Sequence, residues 1–126
     1  MTDAIVFISH NRVKPGKLEA VRQFLAAGAP GIEAAKPRTL AFLPYLGEDG
    51  TSLSIVHLFA DAESFDRHLE GSDDRSRLAY ELIDPIGFEI YGPATDVVLE
   101  SFRAAASSGL SLKISRDPLA GFLRSR

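Results

Sequence analysis

Between residues 51 and 85 the spacing of the hydrophobic residues changes from the pattern of a strand to that of a helix. Apolar residues first follow one another closely, as in a sheet strand that is buried on both faces. Asp61 then occupies a position suited to a helix N-cap, and Phe65 and Leu69 lie one helical turn apart. The pattern therefore predicts a strand that leads directly into a helix. The apolar residues of this strand are Leu53, Ile55, Val56, Leu58 and Phe59.

This helix is predicted to be interrupted and then to give way to a fourth strand. Residues 71–74, Gly-Ser-Asp-Asp, break its periodicity, which resumes over residues 78–83. Asp84-Pro85 is expected to end the helix, because the residue before a proline avoids helical backbone angles. Apolar residues then alternate with other types over residues 86–91, which predicts strand four.

The first fifty residues predict two further strands and a helix between them. Residues 4–13 form strand one, and the apolar stripe that begins at Leu18 forms helix one. Pro30-Gly31 is expected to break or re-aim this helix. Residues 38–46 form strand two, where Pro44 indicates an edge position or a bulge because proline cannot donate to the ladder. A tight loop that contains glycine then leads into strand three.

The predicted order of elements is βαββαβ, which is typical of an α+β, ferredoxin-like sandwich. Such a fold has an antiparallel four-stranded sheet with both helices on one face. We assign residues 1–92 to this domain and residues 93–126 to a C-terminal extension. In the extension, residues 95–107 predict a helix and residues 110–115 alternate as in a half-exposed strand. We expect the extension to pack on the same domain or on a partner subunit.

Both faces of the predicted sheet carry apolar residues. Whichever face the helices cover, two of the four residues 5–8, Ile-Val-Phe-Ile, point the other way. Strands two and three repeat this pattern. An apolar face that the helices leave open needs a cover, so we predict a homodimer in which two sheets pack face to face. The alternative is that the C-terminal helix and strand fold back over this face within one chain.

The composition excludes several classes of function. The chain has 126 residues, of which 45% are hydrophobic and 25% charged, as expected of a single globular domain. It contains no cysteine, which excludes disulfides, thiolate metal sites and cysteine nucleophiles. A net charge of −3 argues against a nucleic-acid partner. No segment has the pattern of a signal peptide or the length of a membrane span, so we expect a cytoplasmic protein.

Two segments of the chain carry a family resemblance. They are VKPGKLEAVRQFL at the start of helix one and LFADAESFDRHLEGSD at the junction of strand three and helix two. Both resemble the antibiotic biosynthesis monooxygenase-like family of dimeric α/β barrels, over residues 4–91. The resemblance implies a ferredoxin-like homodimer and one of two activities. These are oxygenation of quinols or polycyclic phenols without a cofactor, and haem degradation.

The departures from the family pattern favour the first activity over the second. His68 matches a histidine of the monooxygenase-like members, but residues 73–76 offer no second histidine where one is expected. Phe59 stands where many members carry tryptophan, and this chain has none. The haem-ligating histidine of the degrading branch would fall near Leu78, which cannot ligate iron. The resemblance therefore implies no bound cofactor.

Three residues are the candidate catalytic groups. His68 borders the apolar stripe of helix two, where an imidazole can serve as a general base, although a boundary histidine with a wet edge is the alternative. His57 shares a strand face with apolar residues and must find a hydrogen-bond partner there, as a core or interface histidine also would. Asn11 lies in SHNRV, which resembles the end of strand one in the haem-degrading branch. The resemblance places this asparagine in the pocket.

Four aromatic residues are the candidate substrate-binding groups, and no metal site is predicted. Tyr45 and Tyr91 fall on the less apolar sheet face, where ordinary packing with a solvated hydroxyl is the alternative. The three histidines lack the i,i+2 or i,i+4 spacing of metal ligands. Residues 73–77, with two aspartates and two arginines, are interpreted as a solvated face and helix start. The aromatic candidates are Phe59, Phe65, Tyr45 and Tyr91.

Two functions follow from these observations. The first is a cofactor-independent monooxygenase that acts on a quinol or polycyclic phenol in an apolar cavity. The second is a homodimer of the same fold that binds a small apolar or aromatic ligand without turnover, which the missing tryptophan and second histidine favour. An RNA-binding RRM has the same element order, but residues 52–58 lack the basic and aromatic residues that it requires.

Overall fold

A computed structural model describes residues 2–124. Within these residues a mixed five-stranded sheet carries four helices on one of its faces. None of these helices is long and apolar enough to cross a membrane. In chain order the elements are β1 Ile5–Val13, α1 Leu18–Ala35, β2 Thr39–Leu46, β3 Ser52–Phe59, α2 Ala62–Leu69, α3 Ser72–Ala79, β4 Ile83–Tyr91, α4 Asp96–Ala106 and β5 Ser111–Ser115.

The sheet has the strand order β2-β3-β1-β4-β5, and its first four strands are antiparallel to their neighbours. The predicted ferredoxin-like α+β fold is confirmed. The strand count differs from the predicted four because β5, from the C-terminal extension, joins the sheet beside β4 in the parallel direction. Gly87 permits this close approach, since a Cβ there would lie 1.9 Å from the hydroxyl oxygen of Ser111.

The alternation of side chains along β1 divides the core into two parts. Ile5 and Phe7 point toward the helices and join a cluster that contains Phe59, Phe65 and Leu99. At the other end, Val13 joins a second cluster with three residues of α1, β3 and β4. Between these ends the same face of β1 carries Ser9 and Asn11, which are polar. A gap in the apolar core is therefore expected above the middle of β1.

In the part of the chain that the structure describes, the opposite face of the sheet carries no helix. Val6 and Ile8 of β1 pair with Leu58 and Val56 of β3 and form its apolar centre. The extension does not cover this face, because α4 packs into the helix-side core and β5 lies at the sheet edge. The alternative in which the C-terminal helix and strand fold back over it is therefore wrong. The homodimer stays a prediction.

Several local predictions are confirmed. Asp61 is the N-cap of α2, and its Oδ1 accepts a hydrogen bond from the Ser64 backbone N–H at 2.8 Å. This helix is interrupted as predicted, but only at Glu70 and Gly71, and Gly71 has a φ of +75° that suits glycine. The other predicted residues of the interruption, 72–74, belong to α3. Pro44 lies on β2, which is an edge strand within residues 2–124.

Pro30 does not break helix one, so of the two predicted outcomes, a break or a change of direction, the break is wrong. Residues on both sides of it belong to α1, and the Lys36 N–H still bonds to the Ile32 carbonyl oxygen at 2.8 Å. Proline removes one backbone hydrogen bond and crowds the preceding turn. Here that turn consists of alanine and glycine, and Val21 and Leu25 hold the helix against the core. Packing therefore outweighs the local preference.

Strand four begins at Ile83, three residues earlier than predicted. The resumed helix ends at Ala79, and Asp84 and Pro85 lie within β4, where they pair with β1. The register shifts between Pro85 and Gly87 and leaves Ile86 unpaired, as in a β-bulge. A bulge tolerates a proline that cannot donate to the ladder. The proline thus marks an irregularity in the strand and not the end of a helix.

Candidate functional site

A cavity of about 780 Å³ lies above the middle of β1, where the two parts of the core separate. Its volume falls in the range of about 300–1,000 Å³ that is typical of small-molecule sites. Ser9, Asn11 and His57 project into it from the sheet, and His68 projects from α2. Apolar residues form most of the remaining wall. They include Val21, Leu25, Ile32, Phe42, Phe88 and Phe102.

His57 is a buried and neutral histidine with a defined tautomer. Its Nδ1 lies 3.1 Å from the backbone carbonyl oxygen of Phe7. Because a carbonyl oxygen only accepts, Nδ1 carries the proton and Nε2 keeps its lone pair. Burial lowers the pKa of His57 from the ordinary value of 6.5 to about 4, with a smaller effect from the charge of Arg75. His57 is therefore an uncharged potential base at neutral pH.

His68 lies against His57 at the end of α2. The two imidazole centroids are 5.1 Å apart, with an angle of 72° between the rings. Its Nδ1 lies 2.7 Å from the hydroxyl oxygen of Thr39, which fixes the ring orientation. Burial, followed by the neighbouring His57, Arg75 and Lys36, lowers the pKa of His68 to about 3. The two rings disfavour each other's protonation, and both are neutral at pH 7.

The Nε2 atom of each histidine is open to the cavity. Within residues 2–124 no hydrogen bond reaches either Nε2, and no buried side-chain nitrogen there lacks a partner. An unpaired Nε2 must therefore be accessible, and both rings line the cavity. In apolar surroundings the site presents the Nε2 lone pair of His57 and the Nε2 atom of His68, which is an acceptor when Nδ1–H of His68 donates to the Thr39 hydroxyl and a donor when that hydroxyl donates to Nδ1. This arrangement can accept a proton from a bound ligand or hydrogen-bond to its hydroxyl group.

Asn11 completes the polar part of the cavity. It is buried, and its Nδ2 lies 3.5 Å from both the Ser9 hydroxyl oxygen and the Leu53 carbonyl oxygen. Both contacts are long for hydrogen bonds, so the amide group remains available to a ligand. The structure thus brings together all three residues that the sequence predicted as catalytic: His57, His68 and Asn11.

The four predicted substrate-binding aromatics do not line the cavity. Phe59 and Phe65 are fully buried behind it, and the Phe59 ring lies 5.2 Å from that of His68. They support the histidine from behind, where no ligand contacts them. Tyr45 and Tyr91 lie on the helix-free face of the sheet, separated from His68 by the sheet itself. Strand phase placed them on the less apolar face, but that face does not border the cavity.

A second polar cluster occupies the helix-free face. His10 lies 2.9 Å through Nε2 from Glu89 Oε1, and 3.0 Å through Nδ1 from the Ser54 hydroxyl oxygen. Tyr91 donates its hydroxyl to the other oxygen of Glu89, and the Lys113 ammonium group lies 5.7 Å from the Tyr91 ring centroid. The cluster borders the apolar centre of this face. It has no contact with the cavity, because the sheet lies between them.

Arg75 lines the cavity and was missed by the sequence interpretation. The sequence predicts a solvated face for residues 73–77, which contain two aspartates and two arginines, but Arg75 lines the cavity. Its Nη2 donates to the backbone carbonyl oxygen of His68 at 2.7 Å. Its Nη1 donates to the backbone carbonyl oxygen of Glu70 at 3.4 Å. The exposed carbonyl groups at the end of α2 were the available signal, since a cation satisfies them well.

The ligand sets expected for a metal ion or for the haem-degrading branch of the family are not found among residues 2–124. Within residues 2–124 no group of three or more His, Asp or Glu side chains is placed to hold a metal ion. Leu78, where the family resemblance would place a haem ligand, lies at the cavity rim and is 57% exposed. Its side chain offers no ligand atom. The polar side chains that line the cavity carry imidazole, amide, hydroxyl, carboxylate and guanidinium groups.

Comparison with known proteins identifies the fold. No family model matches the chain, and no curated protein matches it in sequence. Among solved structures, MupZ from Pseudomonas fluorescens has a TM-score of 0.72 at 16% identity, over 96% of this chain and 94% of MupZ. SnoaB, a cofactor-independent oxygenase from Streptomyces nogalater, has a TM-score of 0.60 at 17% identity, over 71% of this chain and 91% of SnoaB. The chain has the fold of the antibiotic biosynthesis monooxygenase-like proteins.

The comparisons also bear on the family resemblance and on the C-terminal extension. A Chloroflexus aurantiacus protein whose proposed class is antibiotic biosynthesis monooxygenase has a TM-score of 0.56 at 19% identity, over 69% of this chain and 89% of its own. The family resemblance found in the sequence is thus supported at the level of fold. The match to MupZ covers nearly the whole chain and so must include most of α4 and β5. The extension is therefore part of the shared fold with MupZ.

Proposed function

We propose that the protein is a cofactor-independent monooxygenase that acts on a quinol or polycyclic phenol bound in the cavity. The observation that carries this proposal is the pair of neutral histidines, whose Nε2 atoms open into an apolar space. A fused aromatic ring fits a cavity of about 780 Å³. The oxygenase fold of SnoaB supports the class of reaction.

The reaction begins with transfer of a proton from the substrate hydroxyl to Nε2 of His57, or to Nε2 of His68 when Nδ1–H of His68 donates to the Thr39 hydroxyl. The resulting electron-rich ring carbon transfers an electron to dioxygen, and the two radicals combine to form a carbon–oxygen bond. The imidazolium then returns its proton to the peroxide. Loss of water converts the hydroperoxide into a carbonyl group. Dioxygen is the oxidant, with one oxygen atom in the product and the other in water.

The low pKa values of the histidines shape this first step. An isolated imidazolium is disfavoured in the cavity, so the proton moves only as the substrate anion forms beside it and provides a counter-charge. The product of the transfer is an ion pair in apolar surroundings, where electrostatic attraction is strong. The Asn11 amide can donate to the oxygen on which negative charge develops.

The test measures oxygen consumption with a panel of anthrones and quinols. Replacement of His57 or His68 by glutamine is expected to lower the rate by about 10²–10⁴-fold, which is typical of a lost general base. His10→Gln serves as the matched control, because His10 lies on the other side of the sheet. Absence of oxygen uptake with every substrate, or an equal loss in the control variant, would contradict the proposal.

A second candidate function is ligand binding without turnover. The specific observation in its favour is the weak basicity of the pair, since bases with pKa values of about 3 and 4 are poorly matched to a phenolic proton. Native mass spectrometry of the purified protein distinguishes the two functions. A retained apolar or aromatic molecule that is recovered unchanged after exposure to oxygen supports binding alone.

We also propose that the protein forms a homodimer through the helix-free face of the sheet. The apolar residues Val6, Ile8, Val56 and Leu58 at its centre support this proposal, because the helices and the fifth strand within residues 2–124 leave them uncovered. Equilibrium sedimentation at micromolar concentration tests it, and a compact monomer would contradict it. A cytoplasmic location stays a prediction from the sequence.

A further inference from the structure

Two charged side chains line the cavity among residues 2–124, and both belong to α3. They are Asp73 and Arg75, and the remaining wall is apolar apart from neutral polar groups. Arg75 is half-buried, and burial lowers the pKa of its guanidinium group. A buried cation is stable only if hydrogen bonds or an opposite charge replace its lost hydration. The hydrogen-bond partners of Arg75 therefore show whether an opposite charge is missing from the site.

Arg75 has carbonyl partners but no carboxylate partner within the described part of the chain. Its two hydrogen bonds reach the backbone oxygens of His68 and Glu70, and no carboxylate oxygen, including those of Asp73, lies within 4.0 Å. Arg77, on the same helix, is instead paired with Asp74 at 3.3 Å. Guanidinium has five N–H donors, so Arg75 retains unused donors beside the cavity.

The position of Arg75 connects this unused charge with the histidine pair. Its shorter hydrogen bond is to the backbone oxygen of His68 itself, at 2.7 Å. A ligand group on the guanidinium would therefore lie close to the two imidazoles. Lys36, which also lies near this end of α2, donates its ammonium group to the carbonyl oxygens of Arg67 and Glu70 and does not line the cavity. Of these two cations, Arg75 is the one that a ligand in the cavity can reach.

We infer that Arg75 binds the carboxylate of an aromatic acid whose ring occupies the cavity beside His57 and His68. This inference rests on the proposed function and specifies its substrate class. A single guanidinium fork matches the planar, singly charged carboxylate. A doubly charged phosphate monoester would require more positive charge than this wall provides, and Asp73 would repel it. The carboxylate lies at the α3 side of the cavity and the ring lies over Asn11.

The test compares two fluorescent probes that differ in one charge, anthracene-2-carboxylic acid and its neutral carboxamide. The wild-type protein is expected to bind the acid at least about tenfold more tightly than the amide, as a charge-assisted hydrogen bond predicts. Arg75→Met is expected to abolish this preference and to leave the affinity for the amide within about twofold. Arg77→Met is the matched control, and the preference for the acid should persist in it.

Arg75 also holds the end of α2, so its removal can perturb folding. Arg75→Lys keeps the positive charge, and we expect it to retain part of the preference for the acid. A measurement on the wild-type protein needs no variant at all. The preference for the acid over the amide should decrease as salt concentration rises, because an ion pair is screened while ring burial is not. Equal affinity of the wild-type protein for the two probes would overturn the inference.

The binding measurement separates this inference from the proposed function. Arg75-dependent binding of the acid without oxygen consumption supports the carboxylate site and contradicts the monooxygenase. Oxygen consumption by neutral phenols, together with acid binding that is unchanged in both Arg75 variants, supports the monooxygenase and overturns the carboxylate site.

Discussion

The histidines on the two sides of the sheet have different hydrogen-bond partners. On the helix-covered face, His57 bonds to a backbone carbonyl and His68 to a hydroxyl group, and the sheet brings no carboxylate to either ring. On the helix-free face, His10 bonds directly to Glu89. A histidine without an acidic partner stays neutral in apolar surroundings, and burial accordingly lowers the pKa of both His57 and His68.

The contrast arises within single strands. β1 directs Phe7, Ser9 and Asn11 toward the helices and Ile8 and His10 away from them. Alternation of side chains along β1 therefore places the site with its uncharged imidazoles and the second polar cluster on opposite faces of the same sheet. The cavity therefore presents neutral imidazoles, while the other face presents a polar cluster beside apolar side chains. Each of the following predictions tests one side of this comparison.

The largest effect on stability is expected from truncation of Phe65, which packs against Phe59 behind His68. Phe65→Ala should lower the free energy of unfolding by about 3–5 kcal/mol, because the side chain is fully buried and leaves a void. Leu58→Ala, on the partly exposed helix-free face, should destabilise the dilute monomer less. Urea denaturation of both variants measures the difference. Equal losses would show that the two faces are equally packed in one chain.

The next effect is a loss of stability in acid. The pKa values of His57 and His68 in the folded state, about 4 and 3, lie below the ordinary value of 6.5. The unfolded chain therefore binds more protons as pH falls below 6.5, and the contribution of the pair to stability is complete only above that pH. By pH 4 the contribution of His57 should fall by about 3 kcal/mol.

Denaturation midpoints measured between pH 7 and pH 4 check this prediction. The His57→Gln variant should show a shallower decrease than the wild-type protein over this range. In His10→Gln the buried pair is intact, so the part of the slope that the pair contributes should persist. If His57→Gln loses stability in acid as steeply as the wild-type protein, the pair is not held neutral by burial.

A smaller effect is expected on association through the helix-free face. Val56→Lys places a charge at the centre of that face and should weaken the proposed dimer by at least about tenfold, because the ammonium group would be buried without a partner. Val97→Lys is the control for charge, since Val97 is 81% exposed on the helix side. Sedimentation equilibrium measures both constants, and equal weakening by the two variants would contradict the proposed interface.

The smallest effect concerns the N-cap that positions α2 and therefore His68. Asp61→Ala should lower the free energy of unfolding by about 1 kcal/mol, because the Ser64 N–H loses its acceptor. Asp61→Asn retains a side-chain oxygen and should lose less. Thermal unfolding of the pair measures the difference. The same loss in both variants would show that charge, and not the cap hydrogen bond, stabilises this helix.

Much of the fold was predictable because it depends on local patterns. The N-cap at Asp61, the turn at Gly71 and the edge position of Pro44 each follow from the chemistry of one residue. The break predicted at Pro30 and the helix end predicted at Pro85 are wrong, because packing of α1 and a bulge in β4 override the usual effect of proline. Such tertiary effects have no signature in a short window of sequence.

The site was predictable in part for the same reason. His57 and Asn11 share the helix side because strand alternation places them there, and the family resemblance pointed to His68. The inward orientation of Arg75 was not predictable, since it depends on the carbonyl groups that end α2 and on how α3 sits over them. The tyrosines were placed on the correct sheet face, but which face borders the cavity is a property of the whole fold.

The two edges of the sheet restrict how many copies of this chain can join. One edge is β5, which is only five residues long, and the other is β2, where Pro44 offers no amide hydrogen. Growth of a continuous intermolecular ribbon is therefore disfavoured at both ends. Copies that meet through the flat apolar surface instead form a closed pair, so self-association should stop at a fixed number and not proceed to fibres.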